Sequence, residues 1–207
     1  MTDIGQGAVR YGGFAVGVGL LGGLFDTYAP RAGNMASNIA LFFVSVLTVY
    51  YSLQAHLSDA EIKPRFGAAF GFNLLTGLGV VVGLLFLIVP GVMLFTRWAV
   101  GLPALLRENL GVSEAMERSG TLTAGNRWRI LGLGLLIWGP FLIVMVAVGG
   151  LSAAFAGEDS LDGLIFNIVV NLAAGGATIL SSICWTQAYL TLSQADESGR
   201  SLEQIFA

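Results

Sequence analysis

The chain has 207 residues, of which 55% are hydrophobic and only 11% charged, with a formal net charge of −3 and a mean hydropathy of +0.78. Water-soluble domains carry about a quarter charged residues, and a fold of this size could not keep so much apolar surface from water. The composition therefore excludes a soluble globular fold and a basic nucleic-acid binder, and points to the lipid bilayer as solvent.

A membrane-crossing helix takes about 20 apolar residues. Residues 1–10 hold Asp3 and a single cation, Arg10, too few for the basic start of a cleaved signal. The glycine-rich stretch 11–25 is therefore expected to be a retained first span. A polar turn, 26–33, follows, and 34–55 is the second span. His56 to Phe66 holds Asp59, Glu61, Lys63, Pro64 and Arg65 and reads as a loop. Spans at 67–89 and 92–106 come next. As one straight helix they would reach about 60 Å, twice the hydrocarbon thickness, so a hairpin at Pro90-Gly91 is the better reading and a kinked helix the alternative. The polar stretch 107–129 leads to a fifth span, 130–151. After the acidic residues Glu158, Asp159 and Asp162, a sixth span runs over 163–192. The apolar runs are continuous rather than alternating, which argues against a β-barrel. The fold class expected is an all-α polytopic bundle of about six membrane helices, one integral membrane domain over 1–207.

Charge placement suggests an orientation. With the N-terminus inside, the inner side holds Arg10, Lys63, Arg65, Arg107, Arg118, Arg127, Arg129 and Arg200, and the outer side only Arg31. Such a bias predicts both termini on the cytoplasmic side. It also favours the hairpin, without which the two basic loops would fall on opposite sides.

Small and polar residues mark helix–helix contacts in lipid. In the sixth span Asn167, Asn171, Gly175, Thr178, Ser182, Thr186, Tyr189 and Ser193 form one helical stripe. Weaker stripes are Asn34, Asn38, Ser45, Thr48 and Ser52 in the second span and Asn73, Thr76, Gly77, Val80 and Gly83 in the third. They read as helix glue or, alternatively, as a hydrated path between spans 2, 3 and 6. No carboxylate lies within a striped span, which weakens proton-coupled transport. Four Gly-x-x-x-Gly pairs, beginning at Gly13, Gly19, Gly67 and Gly79, suit close packing within the chain or self-association.

Residues with apparent chemistry are few. Gly17-x-Gly19-x-x-Gly22 matches the dinucleotide fingerprint but follows no strand. His56 stands alone, without a ligand set, and is expected at the membrane boundary. Cys184, the single cysteine, permits no intramolecular disulfide and is read as a small core hydrophobe. No nucleophile constellation is visible, so neither catalysis nor a cofactor is expected. Arg97 lies inside an apolar span, where arginine costs roughly 2.5–3.5 kcal/mol. It should snorkel, pair, or bind an anionic head group. The segment 112–124 reads as an interfacial helix, capped by Ser113, carrying a Glu114–Arg118 pair, with one apolar face (Val112, Ala115, Met116, Ser119, Leu122), and ended by Gly125. Arg127, Trp128 and Arg129 then open the fifth span as an anchor or head-group site.

The stretch 88–131, with Pro90-Gly91, Arg97-Trp98, Pro103, Glu108, Ala115, Arg118-Ser119, Leu122-Thr123, Gly125 and Trp128, resembles the glycerophosphoryl diester phosphodiesterase membrane-domain family and related bacterial inner-membrane proteins. In some relatives that domain is joined to a phosphodiesterase; only the membrane part is represented here, so hydrolysis is not expected. The resemblance implies a bacterial cytoplasmic (inner) membrane location. The expected working surface is Arg97, Trp98, Arg107, Glu108, Arg118, Ser119, Arg127, Trp128 and Arg129. The expected partners are membrane lipids or another membrane protein, the leading role is a scaffold or lipid-associated envelope protein, and the alternative is a small transporter or channel.

Overall fold

The computed structural model describes residues 13–206 except 14, 15, 18, 25, 29, 58–61 and 155–159. Among these every regular element is a helix. That follows from the solvent: within lipid a backbone N–H or C=O finds no water, and helices alone satisfy both groups within one segment. The described residues between 13 and 28 are helical; part of the expected first span, with the loop residues 58–61 and the acidic Glu158-Asp159, lies outside the described set. Seven helices follow: α1 (Pro30–His56), α2 (Phe66–Phe86), α3 (Ile88–Trp98), α4 (Gly101–Arg107), α5 (Val112–Leu122), α6 (Arg127–Ala154) and α7 (Ser160–Phe206). Among the described residues five stretches are long and apolar enough to cross a membrane: Met35–His56, Phe66–Phe86, Ile88–Arg107, Arg127–Ala147 and Gly163–Gly199. The protein is an all-α polytopic membrane bundle.

The chain forms two compact units, one built from residues 1–48 with 134–181, the other from 49–133 with 182–207. In the first, glycines let the N-terminal stretch approach α7 closely. A Cβ on Gly23 would lie 2.6 Å from Ile168 Cα, and one on Gly19 2.6 Å from Leu172 Cδ2. Gly13 and Gly17 have no such neighbour, so one of the two Gly-x-x-x-Gly pairs here does the packing. Asp26, expected in a polar turn, is helical. Its carboxylate accepts from Asn171 Nδ2 (2.8 Å) and Ser37 Oγ (3.4 Å), and Thr27 Oγ1 accepts from Asn167 Nδ2 (3.1 Å).

The second unit is organised by an α2–α3 hairpin. The chain reverses at Leu87, an extended residue (φ −164°, ψ 143°), not at Pro90-Gly91 as the sequence suggested. Pro90 instead occupies the first turn of α3, where a missing N–H costs nothing. Gly91 serves contact rather than the turn: Gly83 and Gly91 face each other so closely that a Cβ on Gly83 would sit 2.9 Å from Gly91 Cα. Further along, the Trp98 ring lies on Gly79 and the Phe72 ring on Gly101. These pairings fix the two arms as antiparallel. Beyond the hairpin, Gly101 to Leu106 are all buried and form the middle of this unit's core, with Leu53, Val100, Ala115 and Tyr189 among its other buried residues.

Two local expectations change. Helix α5 starts earlier than a Ser113 cap implies: Gly111 is the cap residue, and its N–H donates to Glu114 Oε2 at 2.7 Å. Helix α7 does not stop near 192 but continues to Phe206, 47 residues or about 70 Å. Its polar stripe is indeed the inward face, for Asn171, Ser182, Thr186, Tyr189 and Ser193 are buried.

Candidate functional site

The residues singled out between Arg97 and Arg129 fall in the second unit, on α3, α4, α5 and the start of α6, and sort into an inward and an outward set. Helix α4 ends at Arg107, and Glu108 caps it through a backbone N–H to Ala104 O (2.9 Å). Asn109, in the left-handed region (φ 54°), then turns the chain, and the carbonyl of Leu110 accepts from Arg65 Nη1 at 2.7 Å. This turn returns α5 along α4 and brings Arg118 back to Glu108.

Arg118 is the centre of the inward set. Its Nε donates to both Glu108 oxygens (3.0 and 3.1 Å), and Nη1 to Asp196 Oδ2 on α7 (2.8 Å). Tyr189 Oη, from about two turns before Asp196 on the same helix, donates to Glu108 Oε1 at 2.9 Å. The three charged side chains are only 18%, 28% and 31% exposed for Arg118, Glu108 and Asp196. Burial works against the Arg118 charge, but the hydrogen bonds and charges of Asp196 and Glu108 outweigh it and hold the guanidinium above its ordinary pKa. The guanidinium fork suits this arrangement, since it offers separate donors to two carboxylates in one plane. Arg118 is thus occupied by protein carboxylates and is not open for a lipid phosphate. Nor does it pair with Glu114, whose carboxylate turns back to the start of its own helix.

Ser119 and Arg97 form the second inward contact. The last carbonyls of a helix lack intrahelical partners. At the end of α3 the carbonyl of Arg97 accepts from the buried Ser119 Oγ (2.8 Å) and from Thr123 Oγ1 (3.4 Å). The Arg97 side chain, exposed overall, runs along Gly120, whose added Cβ would lie 2.9 Å from Nε. The glycine at 120 thus gives the arginine a track, and the arginine is not isolated within a span. Trp98 is half-buried against Gly79.

The outward set is Arg127, Trp128 and Arg129. After α5, Gly125 (φ 81°) makes a left-handed turn that glycine adopts freely. The Asn126 carbonyl then accepts from the N–H groups of Arg129 (3.0 Å) and Ile130 (3.1 Å) and starts α6. Trp128 is 85% exposed. Among the described residues no carboxylate pairs with Arg127 or Arg129. Arg107 is half-buried at the end of α4.

Four participants are not evident from the sequence: Tyr189, Asp196, Thr123 and Gly120. Tyr189 stands in the polar stripe without an assigned role. Asp196 lies in what looks like a polar tail, and only the continuation of α7 brings it to Arg118. His56 Nδ1 lies 2.8 Å from Ser52 O, and Nε2 lies 3.0 Å from Gln187 Nε2.

No curated protein and no solved structure matches the chain. A family of known sequences does, and over the segment that contains the whole Glu108–Arg118–Tyr189–Asp196 network: residues 69–197 match the membrane domain of glycerophosphoryl diester phosphodiesterase. With well over half its length matched, the chain belongs to that membrane-domain family.

Proposed function

We propose that the chain is a non-enzymatic scaffold of the bacterial cytoplasmic membrane, with both termini cytoplasmic, that holds anionic lipid head groups at its cytoplasmic face. The observation that carries this is the outward set: a tryptophan almost fully exposed between two arginines, at the start of a strongly apolar helix. Tryptophan favours the membrane–water boundary, and each basic residue near an anionic surface contributes about 1 kcal/mol. The inward set serves it indirectly, by fixing the helix that leads to Arg127.

The test is native mass spectrometry of the purified protein titrated with phosphatidylglycerol or phosphatidylcholine. Replacing Arg127→Gln and Arg129→Gln together removes about 2 kcal/mol, so retained phosphatidylglycerol should fall roughly thirtyfold while phosphatidylcholine does not change. Equal phosphatidylglycerol retention by this variant overturns the proposal.

A second reading, transport, gains one observation. Asp26 places a carboxylate against Asn171 on the polar stripe of α7, and ionisable groups inside bundles mark ion and proton paths. It requires that Asp26→Asn abolish a proton or cation flux in sealed vesicles; no flux above that of empty vesicles in the parent protein removes it.

A further inference from the structure

The apolar tip of the α2–α3 hairpin carries six consecutive residues, Leu84 to Val89, each between 45% and 81% exposed. A turn emerging into water would be expected to carry polar residues, and this one carries none. The depth of this tip can be read from its neighbours in the second unit.

Several contacts mark one common level. The carbonyl of Arg97 accepts from Thr123, whose own carbonyl accepts from Asn126, the residue that starts α6 at Arg127. Two residues before Arg97, Phe95 meets Trp185 edge to face at 5.9 Å. Two residues past Trp185, Gln187 reaches His56. An arginine and a tryptophan at one height fit a membrane–water boundary. Helix α5 lies at that level too, with Glu114 and Glu117 exposed, charged side chains that hydrocarbon accepts poorly.

The hydrocarbon core of a bilayer is roughly 30 Å thick. Helix α3 has only Arg97 back to Ile88, about 14 Å, before the chain reverses. Helix α4, buried from Gly101 to Leu106, lies on the other side of the level, where a water-excluding protein core has reason to form; within lipid there is no such drive.

We propose that the α2–α3 hairpin is re-entrant: it enters the bilayer from the Arg97 side, places Leu84–Val89 among the acyl-chain ends near the bilayer centre, and returns without crossing. The lower part of α2, with Phe70 and Leu74 exposed, then runs beside α5 on the head-group side of the Arg97 level. Pro90 fits this placement, because a first-turn residue without N–H leaves one fewer unsatisfied donor at a tip that lipid surrounds. Both hairpin ends stay on one side, so the positive-inside bias is unaffected. The inference shares with the proposed function the reading that Arg127 to Arg129 lie at the boundary, but it requires no preference for anionic lipid.

The experiment uses the full chain with Cys184→Ala, reconstituted in phosphatidylcholine vesicles and labelled with an environment-sensitive fluorophore at Phe86→Cys, or at Leu85→Cys should the first variant not fold. Trp128→Cys is the boundary reference. Lipids carry a nitroxide quencher either near the head group or near the chain end. At the tip the chain-end nitroxide should quench more than twice as strongly as the head-group nitroxide, with the order reversed at residue 128. Stronger quenching by the head-group nitroxide at the tip, or quenching by aqueous iodide equal to that at residue 128, places the tip at a far surface and overturns the proposal. A protein without phosphatidylglycerol preference but with a deeply quenched tip refutes the head-group reading alone.

Discussion

Replacing Arg118→Met removes the one cation that joins α5 to α7 among the described ion pairs, while keeping much of the side chain's apolar volume. It leaves Glu108 and Asp196 facing the same space without a counter-charge. Exposed ion pairs contribute at most about 1 kcal/mol, and breaking a fully buried pair costs about 3–5 kcal/mol. With the guanidinium 18% exposed and its partners 28% and 31%, water screens part of the interaction. We expect a loss of about 2 kcal/mol, or roughly thirtyfold in the unfolding constant. Unfolding by sodium dodecyl sulfate in mixed micelles, followed by tryptophan fluorescence, reads this directly. Arg118→Lys should fall between parent and methionine variant, since an ammonium does not reproduce the fork that meets two carboxylates at once. In a cycle with Asp196→Asn, the double variant should cost about 1 kcal/mol less than the sum of the singles. The raised pKa of Arg118 means that its contribution is complete below arginine's ordinary value and lost only as pH rises beyond it. Between about pH 6 and 9 the guanidinium therefore stays charged. A loss under about 0.5 kcal/mol together with an additive cycle would show that the network is surface decoration and that α5 is held by Ala115, Ser119 and Leu122 alone.

Two further substitutions probe the packing. Gly91→Ala puts a Cβ 2.7 Å from the Leu84 backbone nitrogen, whereas Gly67→Ala meets nothing within 4 Å; in the same denaturation assay the first should lose about 2 kcal/mol and the second change by less than about 1 kcal/mol or gain slightly. Ser119→Ala deprives the Arg97 carbonyl of its shorter hydrogen bond and should cost about 1 kcal/mol, with faster amide exchange at the end of α3 as the local readout.

Much of the architecture is legible in the sequence because membrane helices announce themselves by composition. Continuous apolar runs, glycine spacing and the α7 stripe depend only on which side chains lipid and close packing accept. The departures share a different cause. Pro90-Gly91 looks like the turn because that pair usually punctuates a chain, yet the two residues act separately, Pro90 beginning a helix and Gly91 admitting Gly83. Nothing local to Leu87 marks it as the reversal point. Asp196 is out of reach for a related reason, since its role depends on α7 remaining helical past Leu192, where the apolar run ends, about 6 Å further on. Arg118 stands out in the sequence, but its neighbours there offer Glu114 as partner. The true partners stand 10 and 78 residues away, set by the turn at Asn109.

That turn also separates two uses of arginine that composition treats alike. Arg118 is drawn inward because α5 returns along α4 and must present one face to a core already lined by a carboxylate. Arg127 and Arg129 follow Gly125, whose left-handed backbone ends that return and starts α6, so no inward carboxylate meets them. Arg97 stands between: its carbonyl is claimed by Ser119 and Thr123, while its side chain follows Gly120 toward the surface. On the re-entrant placement proposed above, an arginine at the far end of an apolar run is tolerated because α5 brings the boundary to it. The apolar residues beyond it then have about 14 Å in which to turn, which is why the depth of Leu87 decides between a hairpin that crosses and one that does not.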